Sequence, residues 1–349
     1  MSTPEPAPPR RLVPRIPLNT LAIGFGLAGL ASLWSTTTRA LELPLAIPVV
    51  LWTGAATAWV WLIVAHLVRG SRSPDTLMSQ LRHPAQGPIA AIVPAVGMLL
   101  GAELYLVWPA GGFVLAAVSF AAATVFAGWI LSYWHTGHLN PEAFHGAYLL
   151  PTVAAPLVAS AVAAKLGFPV IAMGAFAVGL FFWVVLVTVL LSRLAFFPPL
   201  PGPLVPTLAI LLAPPGVAGA AWFAMNGAHD DVVSVGLLGM LALMFVLQLF
   251  LIGTYRRLPF SLGFWSFTFP AASAASFLIE WVELAAFDGW QVVAAVAAGC
   301  VTILIAAIGI RSLVLVGSVR RGAHRAEQAL RRADDAARGG GGGGRHDDR

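Results

Sequence analysis

The chain is poor in charge. Of its 349 residues, 20 are Lys or Arg and 15 are Asp or Glu, 10% in all, against roughly a quarter in a soluble globular protein. That shortage excludes an ordinary water-facing surface, and most of the surface must lie in lipid. Cysteine is nearly absent as well. Cys300 stands alone, which excludes an internal disulfide and says little about redox compartment. There is no G-x-S-x-G elbow, no phosphate loop and no nucleotide motif, so no catalytic residue and no cofactor is expected. The formal charge of +5 is not a nucleic-acid signature, because the arginines cluster in the loops and tails that flank apolar segments. What the chain does have is hydrophobicity: 58% apolar residues and a mean hydropathy of +0.84.

A bilayer span needs about 20 apolar residues. Windows of that size occur ten times, at roughly 18–38, 46–69, 87–108, 111–134, 143–165, 168–191, 205–225, 231–252, 260–284 and 289–316. The connections are short, so successive helices should be antiparallel neighbours. The fold class expected is therefore an all-α polytopic membrane protein of ten helices. Residues 1–17 read as a disordered cytoplasmic segment before an uncleaved first helix. Residues 18–316 form the membrane domain. Residues 317–349, basic, then acidic, then a glycine run from Gly339 to Gly344, read as a disordered cytoplasmic tail; a short amphipathic helix over Arg320–Arg332 is the alternative.

Sides follow from the arginines. With the amino terminus inside, the inner loops hold Arg69, Arg72, Arg82, Arg193, Arg256 and Arg257, while the outer loops hold only Arg39 and Lys165, with Asp230, Asp231 and Asp288 also outside. Both termini are expected in the cytoplasm and the protein in the plasma (inner) membrane.

The prolines carry a second pattern. Pro94 falls in the third span, Pro151 and Pro156 in the fifth, Pro214 and Pro215 in the seventh, Pro270 in the ninth; the first has Gly24, Gly26 and Gly29 instead. No even span has a proline in its middle. Proline removes a backbone donor, and broken helices at membrane depth belong where backbone lines a cavity. The pattern predicts an inner ring of five odd helices around a pore, with five even helices outside. Packing kinks in an ordinary helical bundle are the simpler alternative.

The stretch Pro259–Ala272, P-F-S-L-G-F-W-S-F-T-F-P-A-A, resembles the ninth helix of the tellurite-resistance/dicarboxylate transporter family, which includes plant slow anion channels. G-F-G-L-A-G-L-A-S-L-W at Gly24–Trp34, L-R-H-P at Leu81–Pro84, Y-L-L-P-T-V-A at Tyr148–Ala154 and L-A-P-P-G-V-A-G at Leu212–Gly219 resemble other parts of it, in order. The resemblance implies five helical hairpins around a central pore, a homotrimer, first-helix glycines facing the pore, and a phenylalanine of the ninth helix as its plug. Ala22 stands where the first-helix pattern often carries a further glycine. Counting ~1.5 Å per residue from about Phe260 puts Phe269 near the middle of a ~30 Å hydrocarbon core, beside the break at Pro270. Phe269 is thus the expected gate, opposite Gly26, with Phe264 and Phe267 as rivals.

The expected pore lining is Gly24, Gly26, Pro94, Thr152, Pro215 and Ser266. With no Lys or Arg near the pore middle, selectivity would come from backbone dipoles, hydroxyls and width. Glu103, Glu280 and Glu283 lie near outer span ends, within snorkelling reach of the interface. His135, His138 and His145 are spaced as a metal site allows, but without supporting carboxylates or cysteines they read as a surface turn, and no metal is expected. The function expected is passage of small anions, inorganic or C4-dicarboxylate, through a phenylalanine-gated channel. A proton-coupled carrier and, from another class, an intramembrane metal-dependent enzyme are the alternatives. Small anions, the lipid bilayer and further copies of the chain are the expected partners; nucleic acid is not.

Overall fold

A computed structural model describes residues 15–339, with side chains to residue 318. The expectations for residues 1–14 and for 340–349 lie outside the described residues. Regular structure among the described residues is helical throughout. Among the described residues, ten helices are long and apolar enough to cross a membrane. They are α1 (Leu18–Ala40), α2 (Ala46–Gly70), α3 (Gly87–Tyr105), α4 (Pro109–His138), α5 (Gly146–Lys165), α6 (Pro169–Phe196), α7 (Gly202–Asn226), α8 (Val232–Tyr255), α9 (Leu262–Ala285) and α10 (Trp290–Gly339). Each corresponds to one of the ten spans read from the sequence, and the chain is a multi-pass membrane protein. The last helix does not stop with its apolar stretch at Ser318 but continues to Gly339.

The chain falls into two compact units, one reaching to Ile305 and one starting at Ala306. The second is the remainder of α10, where the Ser312 hydroxyl donates to the Ile308 carbonyl at 2.8 Å. In the first unit, burial alternates along the chain. In α1, α3, α5, α7 and α9, 56–83% of the residues of the apolar window are buried; in α2, α4, α6 and α8 the share is 11–33%. A helix apolar all round yet exposed is one that meets lipid. Consecutive helices pack as pairs, α1 with α2, α3 with α4, α5 with α6 and α7 with α8. The odd helices also pack in sequence, α1 on α3, α3 on α5, α5 on α7, α7 on α9 and α9 back on α1. Gly216 of α7 permits one of these approaches: a Cβ there would come within 2.9 Å of the α9 backbone at Ser273 and Ala274. A smaller apolar cluster of Leu33, Ala272, Ile279 and Ala294 joins α1, α9 and the start of α10.

Each odd helix changes type along its course. Their first parts are 3-10 turns, over Leu18–Leu21, Gly87–Ala91, Gly146–Leu149, Gly202–Leu212 and Leu262–Phe267, with a π turn at Leu150–Ala154 in α5. The α-helical parts begin at Ala22, Ile92, Ala155, Ala213 and Thr268. Pro94, Pro156, Pro214, Pro215 and Pro270 are all second or third residues of those α-helical parts. A first-turn proline sacrifices no α-helical hydrogen bond, and the preceding 3-10 turn closes the junction with shorter bonds, as from Ile92 N–H to the Ile89 carbonyl and from Thr268 N–H to that of Trp265. The backbone donors at these two junctions are therefore engaged within the helix. The even helices are α-helical from their first residue.

Candidate functional site

Two cavities lie between the odd helices. At the end where those helices begin, the near end, there is one of about 220 Å³; toward the end where they finish, the far end, there is one of about 610 Å³. Every helical residue that borders either belongs to α1, α3, α5, α7 or α9. One residue borders both, and it is Phe269.

The ring of Phe269 is 5% exposed and stacks on that of Phe25, with centroids 3.7 Å apart and planes 14° from parallel. Its position is set by the start of the α-helical part of α9. The Thr268 hydroxyl donates to the Trp265 carbonyl at 2.7 Å across the junction, and Phe269 follows at the first turn. Gly29 of α1 makes the room: a Cβ there would sit 3.0 Å from the ring and 3.2 Å from the Phe269 α-carbon. The rival phenylalanines point elsewhere. Phe267 stands edge-on to Tyr255 of α8 at 4.7 Å, and Phe264 packs between Phe260 and Phe267 at 5.2 and 5.7 Å.

The other expected lining residues scatter. Ser266 borders the near cavity. Gly24 faces outward onto Trp59 of α2, at 3.6 Å from a built Cβ. Gly26 is not opposite the Phe269 ring; it seats the junction of α9, where a Cβ would fall 2.8 Å from Thr268 Cβ and 2.9 Å from the Trp265 ring. Three residues on, Gly29 holds the position assigned to it. Thr152 is buried with its hydroxyl unpartnered, and neither it, Pro94 nor Pro215 borders either cavity. Those prolines set where α-helix begins and do not themselves form wall.

The far cavity has a polar side that sequence reasoning missed. On α1, Gly29, Ser32, Thr36 and Arg39 border it; on α9, Phe269, Ser273, Ser276, Glu280 and Glu283 do. Both sets repeat at alternating steps of three and four, one face of a helix, so the signal was present in the spacing. Ser273 and Ser276 hydroxyls donate to the carbonyls of Pro270 and Ala272, at 3.1 and 2.9 Å. The glutamates do not snorkel outward alone: Arg39 reaches Glu280 at 3.8 Å and Glu283 at 3.3 Å. Lys165, at the end of α5, borders the same cavity. The two basic residues that the charge count placed on the far side thus both stand at this mouth. The near cavity is bordered by no charged residue; its polar groups include Ser266, Asn19 and Gln86.

The three histidines are not brought together. His145 is buried, with its ring edge toward Tyr148 and its Nδ1 accepting from Ala147 N–H at 3.3 Å. His138 stacks on Tyr133 at 4.4 Å, and His135 Nδ1 lies 2.8 Å from the Leu131 carbonyl. Among the described residues no three His, Cys, Asp or Glu side chains are grouped as a metal would need. The buried Arg193 guanidinium donates to the carbonyls of Glu142 and Pro198 and braces this turn.

Comparison with known proteins bears on this arrangement. A family model described as voltage-dependent anion channel, SLAC1, matches residues 15–313. The tellurite resistance protein TehA homolog of Haemophilus influenzae is 26% identical over 264 residues, 75% of this chain and 80% of that protein. The S-type anion channel SLAH2 of Arabidopsis thaliana is 24% identical over 320 residues, 84% of this chain and 58% of that protein.

Proposed function

Because the chain belongs to the SLAC1 voltage-dependent anion channel family, we propose that it passes small anions across the membrane through the space between its five odd helices, with Phe269 as the gate. The observation that carries this reading is that Phe269 alone borders both cavities. An apolar ring in a narrow pore occludes it by volume and by dewetting. Phe25 is the backing of the plug, since its ring stacks on Phe269 from the near-cavity side. An anion leaving the far cavity meets uncharged donors on the near side, those of Ser266, Asn19 and Gln86, and exchanges part of its hydration for them.

The arginine distribution supports cytoplasmic termini, so the near end faces the cytoplasm and the far mouth faces out. The plasma (inner) membrane is the location this orientation fits. A homotrimer with one pore per subunit rests on the family resemblance, and native mass measurement in detergent tests it. Anion uptake into proteoliposomes, with a panel of chloride, nitrate, sulfite and malate for wild type and Phe269→Ala, tests the function. Uptake of none of these by either protein overturns it.

A further inference from the structure

Lys165 is the only lysine in the chain. It ends α5 and borders the far cavity across from the Arg39, Glu280 and Glu283 group. Arg39 is held by two carboxylates. Lys165 has no carboxylate within 4 Å among the described residues, although Glu103 of α3 and Glu280 of α9 lie within electrostatic reach of it. Lys165 is exposed. From Arg39 inward, the hydroxyls of Thr36 and Ser32 lead along one face of α1 toward Phe269.

We propose that Lys165 is the anion-capture site of the far mouth: it holds a small inorganic or carboxylate anion at the start of the hydroxyl-lined path, while Arg39 is kept occupied by Glu280 and Glu283. This rests on the passage of anions proposed above. A charge at a low-dielectric opening raises the local concentration of its counter-ion and so the rate of entry. The plainer role for Lys165 is to complement the negative end of its own helix. That role predicts effects on stability but none that depend on the anion.

The test has two readouts. The first is binding: 35Cl NMR line broadening by purified protein in detergent, with nitrate added as competitor. Lys165→Gln should lose most of the nitrate-displaceable broadening and Lys165→Arg should keep it. Equal broadening by wild type and Lys165→Gln overturns the proposal, whatever the flux. The second is entry, measured with Phe269→Ala protein in proteoliposomes. Adding Lys165→Glu should lower chloride flux by roughly three- to tenfold at about 10 mM salt, and the difference should shrink toward none at about 1 M, where the Debye length falls from ~30 to ~3 Å. Glu283→Gln, which loosens the hold on Arg39, should act in the opposite direction. A Lys165→Glu effect that is the same at both salt concentrations overturns the capture role. Should Phe269→Ala itself not conduct, the gate reading fails, and the chloride line width still decides the binding site.

Discussion

Replacing Phe269 by Ala removes the side chain that borders both cavities, and the consequences divide into stability and passage. In a closely packed core a Phe→Ala change costs about 3–5 kcal/mol. Phe269 has cavity on two sides and packs mainly on Phe25 and on the face of Gly29, so the loss should fall at the low end of that range. Passage should change much more. An unpaired ion in a dry apolar constriction costs many kcal/mol, and relieving even ~3 kcal/mol of that barrier is roughly a hundredfold in rate. The expectation is therefore a chloride or nitrate flux at least tens of times that of wild type, measured by anion uptake into proteoliposomes containing equal amounts of inserted, monodisperse protein. Phe25→Ala should give a smaller rise, because the Phe269 ring still stands between the cavities; the double variant should exceed both, because the surviving Phe25 ring can fall into the gap. Refutation is a folded Phe269→Ala protein, and a folded double variant, that conduct no faster than wild type.

Other outcomes follow from the same geometry. Gly29→Ala adds a methyl 3.0 Å from the Phe269 ring and should alter basal flux by displacing that ring, whereas Gly26→Ala wedges α1 from the α9 junction and should cost about 1–3 kcal/mol of stability, read as a lower melting temperature in detergent. Phe267→Ala should lose its edge contact with Tyr255 and lower stability while leaving flux near wild type. Asp231 caps α8: its carboxylate accepts from Ser234 N–H at 2.7 Å and from the Trp222 indole N–H at 2.7 Å, and the bond from the Ser234 backbone holds its pKa below the ordinary 3.8. A depressed carboxylate pKa stabilises above the unfolded value and fades as pH falls through the folded one, so Asp231→Ala should lower the melting temperature at neutral pH by more than below about pH 3. Reporter fusions after Gly70 and after Arg257 should report cytoplasm, and one after Asp230 the opposite side; a reversed pattern overturns the orientation.

The ten spans were legible because a long apolar run bounded by arginines has few other uses. The odd-even alternation was legible through Pro94, Pro156, Pro214, Pro215 and Pro270, which stand where the helix changes type. A proline in the middle of a span looks like a kink only if the whole span is assumed α-helical. Each of these odd spans instead begins as a 3-10 turn, so the same proline is a first-turn residue. Phe269 was singled out by counting depth from Phe260 at ~1.5 Å per residue, and that count runs a few ångströms short, because Leu262–Phe267 is a 3-10 turn that rises about 2.0 Å per residue. The identity of its neighbour on α1 did not survive, because that depends on helical phase: Gly26 and Gly29 differ by three residues, and only contact between two helices decides which faces the ring. Trp34 shows the same limit; its indole N–H donates to the Thr302 hydroxyl of α10 at 2.9 Å, an inter-helix bond that position along the chain does not specify.

The charged far mouth was missed for a different reason. Arg39 is one residue from the end of α1 and Glu280 and Glu283 are near the end of α9, so a linear reading places all three at the interface and lets them snorkel. Helical phase says otherwise. Counting back from Arg39 by steps of three and four gives Thr36, Ser32 and Gly29; counting back from Glu283 gives Glu280, Ser276, Ser273 and Phe269. Both sequences run from a charge through hydroxyls to the contact between Gly29 and Phe269. In an apolar helix, polar groups repeated on one face have to be kept out of lipid, so that face must look inward. Phe269 and the charges therefore belong to the same two helix faces, and the polar stripe on α1 locates Gly29, not Gly26, as the residue that meets Phe269.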